Sequence, residues 1–550
     1  MHEGHLLVLL LGSLAVTAVC RRFGWPSPLV LVAVGLAVSL IPGFPEVSMD
    51  SEVILAIVLP PLLYSAALGC SYTSFKASIG AITALGVGAV ILTTGAVGLV
   101  AYLIVPEMPL AVALVLGAVV APPDAVAATS IAKRLGLPRR VVMILTGESL
   151  INDGTALTLY KVALAAALGA SSGFLHGTGV FVWTTIAGIA VGLAFGAALY
   201  WLRRRMEDPV LQTAFGLTVP FAAYLAGEKI EASGVLAVVA AGLFMGHHMP
   251  KLGYATRLQE EPVWEALDTL LEAAVFGLIG IQLRFVVSNV VDSHYSVGRV
   301  ALGGVIVLIA AIAIRFVCVF GFGGLVRVLQ RRGKARRVPP PRPSHMTVVS
   351  WAGMRGVVTL AVAASTPLTL DDGAPFPDRA VIQLMAFVVT IGTLLVQGLT
   401  LPWVIRKLGA QDPDEAVRDA ATEAQLYELT TDVALARLDQ LRGEWPVEHY
   451  ALLDRIAAFV RSQGRSAMET ARARVEESAE EAMEEAEAPD AAPRLSHDVF
   501  RLRQELLDAQ RRALLDVRDE GDVDDEVIRE VLHWLDLEEA ALVTARPDED

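Results

Sequence analysis

Thirteen runs of apolar residues divide the first 410 positions, near 4–20, 28–43, 50–69, 78–104, 109–132, 141–169, 178–202, 209–227, 232–249, 262–283, 297–326, 346–368 and 380–405. A helix rising ~1.5 Å per residue needs roughly 20 residues to cross a hydrocarbon layer, so the runs predict an all-α polytopic membrane protein with about 13 transmembrane helices. The polar breaks between them alternate in charge. Every second loop is basic, with Arg21 and Arg22, Lys76, Lys133 to Arg140, Arg203 to Arg205, Lys251 and Arg257, Arg331 to Arg337, and Arg406 and Lys407. The others are mostly acidic or uncharged, with Glu46 and Asp50, Glu107, Glu228, Lys229 and Glu231, Arg284 and Asp292, and Asp371, Asp372 and Asp378. Positive charge stays on the cytoplasmic side, which predicts an outside N-terminus and a cytoplasmic segment after residue 410. The first run has its arginines behind it, so it reads as a retained span and not as a cleaved signal.

Composition agrees and adds a boundary. Of the 550 residues 54% are hydrophobic, more than a soluble chain needs. The net charge of −14 hides an asymmetry: residues 1–410 hold 21 acidic and 28 basic side chains, residues 411–550 hold 37 and 16. This separates a membrane domain, 1–410, from an acidic tail, 411–550. Leucines at helical spacing in Glu423 to Leu441 and Val499 to Val517 predict soluble helices there, with a Glu/Ala linker over Glu476 to Ala492. The tail has no phosphate loop, zinc spacing or nucleotide fingerprint, so no cofactor is expected, and its acidity argues against nucleic acid. Cys20, Cys70 and Cys318 all fall in apolar runs and read as buried small hydrophobes.

The polar exceptions inside the runs carry the chemistry. Gly147-Glu148-Ser149-Leu150-Ile151-Asn152-Asp153-Gly154 opens the sixth run. Ionisable groups at that depth are costly and mark a functional site. Ser149 and Asp153 share one helix face, and Glu148 and Asn152 form the next stripe. The fifth run breaks at Ala121-Pro122-Pro123-Asp124, where two prolines remove backbone donors. A break at mid-membrane must line a cavity or be buried in protein. Arg315 lies deep in the eleventh run and needs a buried anion, with Glu148, Asp124, Asp153 and Glu272 as candidates. Arg355, between Gly353 and Gly356, is about ten residues into its run, which places it toward the cytoplasmic surface with a structural role. Glu272 reads equally as a second intramembrane acid or as a hydrogen-bonded link between helices. The proline-rich basic loop 331–345 reads as a connector near anionic headgroups.

Together these residues resemble the bacterial sodium–proton antiporters of the NhaP type, relatives of the animal exchangers. Gly147 to Gly154 looks like their signature. Leu59-Pro60-Pro61-Leu62-Leu63-Tyr64, Leu278-Ile279-Gly280-Ile281-Gln282-Leu283 and Trp351 to Gly356 resemble three further motifs at similar positions. The resemblance implies two inverted six-helix repeats with crossed broken helices. A mobile core would take about 78–170 and 297–408, and a dimerisation domain about 1–70 and 178–283. It implies cation binding by Asp153, Asp124, Ser149 and the backbone carbonyl of Pro123, and a Glu148–Arg315 pair that steadies the core. Asn152 stands where electrogenic relatives have a second aspartate, which implies one cation exchanged for one proton. Two positions depart from the pattern. Pro123-Asp124-Ala125 replaces the usual Thr-Asp-Pro, and Ser65 follows Tyr64 where a glutamate is common.

The expected activity is therefore antiport of Na+ (or Li+ or K+) against H+ in a homodimer of the cell membrane, contributing to pH homeostasis, with the tail as a regulatory element. Two alternatives compete with it. One is a K+/H+ exchanger or cation channel on the same core. The other is a membrane-anchored sensor acting through its tail, which would have no use for Asp153.

Overall fold

The computed structural model describes residues 3–41, 51–124, 126–169, 174–291, 295–331, 342–370, 374–443, 446–477, 497–521 and 523–544. Among them the chain is helical, with no strand and one isolated bridge between Thr369 and Pro375. Helices α1 (Glu3–Phe23), α2 (Ser27–Ser39) and α3 (Ser51–Leu68) come first. α4 (Tyr72–Thr83) runs into α5 (Val90–Ile104) through a π-helical stretch, Ala84–Ala89. Then follow α6 (Leu110–Val120), α7 (Val126–Arg134), α8 (Arg139–Ala167), α9 (Phe174–Arg203), α10 (Pro209–Lys229), α11 (Gly234–His248), α12 (Tyr254–Val291) and α13 (Val297–Arg331). α14 (Pro343–Trp351), α15 (Val357–Ala364), α16 (Arg379–Thr393) and α17 (Leu399–Lys407) complete the apolar part, with a second π-helical stretch, Leu394–Gly398, joining the last two. The tail contributes α18 (Pro413–Arg442), α19 (Tyr450–Glu477), α20 (His497–Glu520) and α21 (Asp525–Thr544).

Six of these stretches are long and apolar enough to cross a membrane among the described residues: Tyr72–Ile104, Gly177–Arg203, Pro209–Lys229, Tyr254–Val291, Val297–Val328 and Arg379–Lys407. Ser27–Ser39, Leu55–Leu68 and Leu110–Val120 are apolar but shorter. α8 has the length, with 29 residues, but carries Glu148, Asp153 and Lys161 in its body. Three departures from the sequence expectation concern local structure. Lys76 was expected in a loop and lies in α4, because the helix already begins at Tyr72, where the Ser71 hydroxyl accepts from the Ser74 amide at 3.1 Å. Both π-helical stretches interrupt apolar runs, the first without a polar residue and the second with Gln397 alone. The tail forms four helices where two were marked.

The chain divides into two compact units, Met1–Arg205 with Ala214–His247 and Val263–Gln411, and Met206–Thr213 with His248–Pro262 and Asp412–Asp550. In the first unit α6 is apolar at nearly every position and mostly buried, as expected of a helix without a polar face. It packs between α5 and α8, while α13 packs against α5 and α16. Small residues allow such helices to touch. At Gly35 of α2, an added Cβ would meet the Gly277 carbonyl of α12 at 2.6 Å. The second unit has its own core, including Tyr427, Leu507, Leu514, Val531 and Leu535. Glu46, Asp50, Ala125, Asp292, Asp371, Asp372, most of the loop 331–345 and most of Glu476 to Ala492 lie outside the described residues.

Candidate functional site

Two of the apolar runs are broken, and the breaks meet. α6 ends at Val120, and the chain is extended through Pro122 and Pro123 before α7 begins at Val126. α14 ends at Trp351, and residues 353–356 are non-helical before α15 begins at Val357. The Asp124 amide donates to the Met354 carbonyl at 2.7 Å, which ties one break to the other. Such crossings leave four helix ends with unpaired backbone groups inside the protein, and each end needs a partner.

Asp124 and Arg355 supply those partners. The Asp124 carboxylate accepts from the Val126 amide at 2.9 Å and also from the Val357 amide, the first residues of α7 and α15. An anion at two helix N-termini complements both dipoles. Arg355 serves the opposite ends. Its Nε donates to the Val120 carbonyl at 2.9 Å, its Nη1 to the Gly353 carbonyl, and its own amide donates to the Thr393 hydroxyl at 2.9 Å. The sequence placed Arg355 toward the surface. It is instead 1% exposed, because the unwound segment turns it back into the protein, where only a cation answers the carbonyl ends. The two flanking glycines are a steric requirement. A Cβ at Gly353 would overlap the Arg315 side chain, and one at Gly356 would overlap the Asp124 carboxylate.

α8 runs past this crossing. Asn152 is fully buried and its Nδ2 donates to the Pro123 carbonyl at 2.7 Å. Glu148, one turn earlier, accepts two bonds from Arg315 of α13, Nη1 to Oε1 at 2.6 Å and Nη2 to Oε2 at 3.0 Å. Arg315 also donates to the Val349 carbonyl, from Nε at 3.2 Å and Nη2 at 3.0 Å. Asp153 and Ser149 turn the other way. With Asp124, Pro123, Thr146, Leu62 and Phe276 they line an open cleft of about 920 Å³. Asp153 is 5% exposed, and no hydrogen bond or ion pair engages its carboxylate among the described residues.

Glu272 of α12 lines the same cleft and makes no interhelical hydrogen bond among the described residues. That link is made one turn earlier by Asp268, which accepts from the Ser65 hydroxyl at 2.5 Å. Asp268 was missed by the sequence reading, although its four-residue spacing from Glu272 put both acids on one helix face. Ser65 thus faces a carboxylate supplied by α12.

Residues 6–407 match the family model described as the transmembrane sodium/hydrogen exchanger. The chain belongs to that family. The exchanger-family match extends to whole relatives. An uncharacterised Na+/H+ exchanger of Mycobacterium tuberculosis is 34% identical over 535 residues, 96% of this chain and 94% of that one. The Na+/H+ antiporter ApNhaP of Aphanothece halophytica is 30% identical over 388 residues, 70% of each chain. Among solved structures, the sodium proton antiporter MjNhaP1 of Methanocaldococcus jannaschii has the same fold, with TM-score 0.60 at 17% identity, covering 74% of this chain and 98% of that one. The chain is thus an integral membrane antiporter of the NhaP type, a transporter of sodium and protons and not an enzyme.

Proposed function

We propose that the protein exchanges one monovalent cation, Na+ with Li+ and K+ as alternatives, for one proton, by alternating access to a site centred on Asp153. The observation that carries this is the division of labour among three carboxylates. Glu148 is neutralised by Arg315, and Asp124 by two helix N-termini. Of these three, only Asp153 faces the cleft without a fixed partner among the described residues, and Glu272 of α12 lines the same cleft as a further acid. A buried charge is not tolerated bare, so a proton or a cation from solution must complete it. The two compete for one carboxylate, and that competition is the exchange.

A hard monovalent cation prefers oxygen ligands. Asp153, Asp124, Ser149 and the Pro123 carbonyl would supply them. The Pro123 carbonyl has a second lone pair free beside its bond from Asn152. Asn152 adds no charge where a second acid would, which favours electroneutral turnover. The thirteen apolar runs would span the cell membrane as two inverted repeats. The core would be 78–170 and 297–408, moving against a homodimeric scaffold of 1–70 and 178–283. The N-terminus would lie outside and the tail in the cytoplasm, where it would regulate turnover.

In proteoliposomes carrying a pH-sensitive dye, Na+ should dissipate an imposed proton gradient, and Li+ and K+ should rank its selectivity. Asp153→Asn should abolish the response while the protein stays folded. Sodium-driven proton flux retained by that variant would overturn the assignment, and cation flux without proton counterflow would indicate a channel.

A further inference from the structure

Along α8 the cleft lining stops at Asp153. The residues of α8 that line it are Thr146, Ser149, Leu150 and Asp153, all toward the Arg139 end of the helix. Beyond Asp153 the helix is packed against its neighbours. Gly154 lies so close to Leu236 of α11 that a Cβ there would stand 2.7 Å from the leucine Cγ. Two turns further, the Lys161 ammonium donates to Glu228 Oε2 of α10 at 2.6 Å. The other oxygen of Glu228 accepts from the Gly234 amide of α11 at 3.3 Å. One carboxylate therefore fastens the helix that bears Asp153 to two helices that contribute nothing to the cleft lining.

We propose that Lys161 and Glu228 are the gate residues of the closed side, a latch that must part before Asp153 can meet the second aqueous phase. The inference rests on the alternating-access reading above. Its physical basis is the contrast between the two ion pairs of α8. Glu148–Arg315 is doubly hydrogen-bonded, with side chains 2% and 4% exposed, and is built to persist. Lys161–Glu228 is a single contact, with side chains 51% and 34% exposed. Water screens such a pair and can replace either partner. A contact that breaks once per cycle needs that weakness. Leu236 on Gly154 is the apolar layer beneath it, and it can slide because no backbone hydrogen bond crosses between α8 and α11 among the described residues.

The test uses the full chain in proteoliposomes, with Cys20, Cys70 and Cys318 replaced by alanine. Lys161→Cys with Glu228→Cys, bridged by a cleavable bismaleimide, should lose exchange by about tenfold or more and regain it on cleavage. Na+ should still protect the bridged protein against thermal unfolding, since the cleft side stays open. Bridged protein exchanging at the unbridged rate overturns the gate. A second arm needs no bridge. Glu228→Gln should speed the labelling of Leu236→Cys by an impermeant maleimide by about threefold or more, and Lys161→Glu with Glu228→Lys should restore slow labelling. Labelling unchanged by Glu228→Gln also overturns the gate. If the unbridged, unmutated protein shows no sodium-driven proton flux, it is the antiport reading that fails.

Discussion

Arg315 holds both oxygens of Glu148 and, with the same guanidinium, the carbonyl of Val349, so that α8, α13 and α14 are pinned at one buried point. This is the arrangement in which a buried charge is tolerated, because each nitrogen of the guanidinium and each oxygen of the carboxylate has at least one partner. Removing one side leaves the other bare. Glu148→Ala should destabilise the protein by roughly 3–5 kcal/mol, by analogy with buried pairs in soluble proteins. Glu148→Gln, which can still accept from Arg315, should lose less. Thermal melting in detergent checks both, and a Glu148→Ala protein that melts with the parent would count against the pair as a structural anchor.

Gly356 stands against Asp124 so closely that a methyl group would overlap the carboxylate. The glycine thus sets where the acid lies, between the ends of α7 and α15 and on the wall of the cleft. Gly356→Ala should cost about 1–3 kcal/mol in overpacking and displace Asp124 from both helix ends. The expected result is strongly reduced sodium-driven proton flux from protein that still reaches the membrane. Gly298→Ala, where nothing lies within 4 Å of the added carbon, is the control and should behave as the parent does. Equal flux from the two variants would show that the position of Asp124 is not critical.

The elements that could be read from the sequence are those that interrupt a pattern. Prolines at 122 and 123 announced the first break, and charge inside apolar runs announced Glu148, Asp153 and Arg315, whereas the glycines beside Arg355 were compatible with close helix approach or an unwound turn. What stayed hidden depends on three-dimensional return of the chain. The π-helical stretch at Ala84–Ala89 leaves apolar sequence apolar, so hydropathy is blind to it, and the one at Leu394–Gly398 is marked by no more than Gln397. Arg355 looked superficial because its depth was counted along a straight helix, and the unwound segment folds it inward. Asp124 was read as a cation ligand and as one candidate partner for Arg315. Its bonds to Val126 and Val357 show that it also completes two helix ends, a task assigned by the crossing and by no local motif. Asp268 escaped notice because its partner, Ser65, is 203 residues away.

In the second unit the ionic centre is Asp536, whose side chain is 3% exposed between two arginines. Arg257 meets it through Nε at 2.7 Å and through Nη2, and Arg511 through Nη2 at 3.0 Å, while Arg511 also reaches Glu539 at 2.7 Å. Burial alone would lower the basicity of Arg511, but the hydrogen bond and charge of Glu539, with those of Asp536, outweigh it and raise it above the ordinary arginine value. The guanidinium is therefore stabilised as a cation only while these acids remain. Asp536→Ala should leave Arg257 without a carboxylate and Arg511 dependent on Glu539, and weaken the unit by roughly 3–5 kcal/mol, with Asp536→Asn intermediate. Limited proteolysis of the full chain reads this directly, as faster cleavage within residues 412–544 while the first unit stays intact. Because Arg257 lies near the start of α12 and Asp536 on α21, a double-mutant cycle between them should show coupling above the additive sum. Additive effects would mean that segment 248–262 and the tail helices are held together by their apolar contacts, with the charges contributing little.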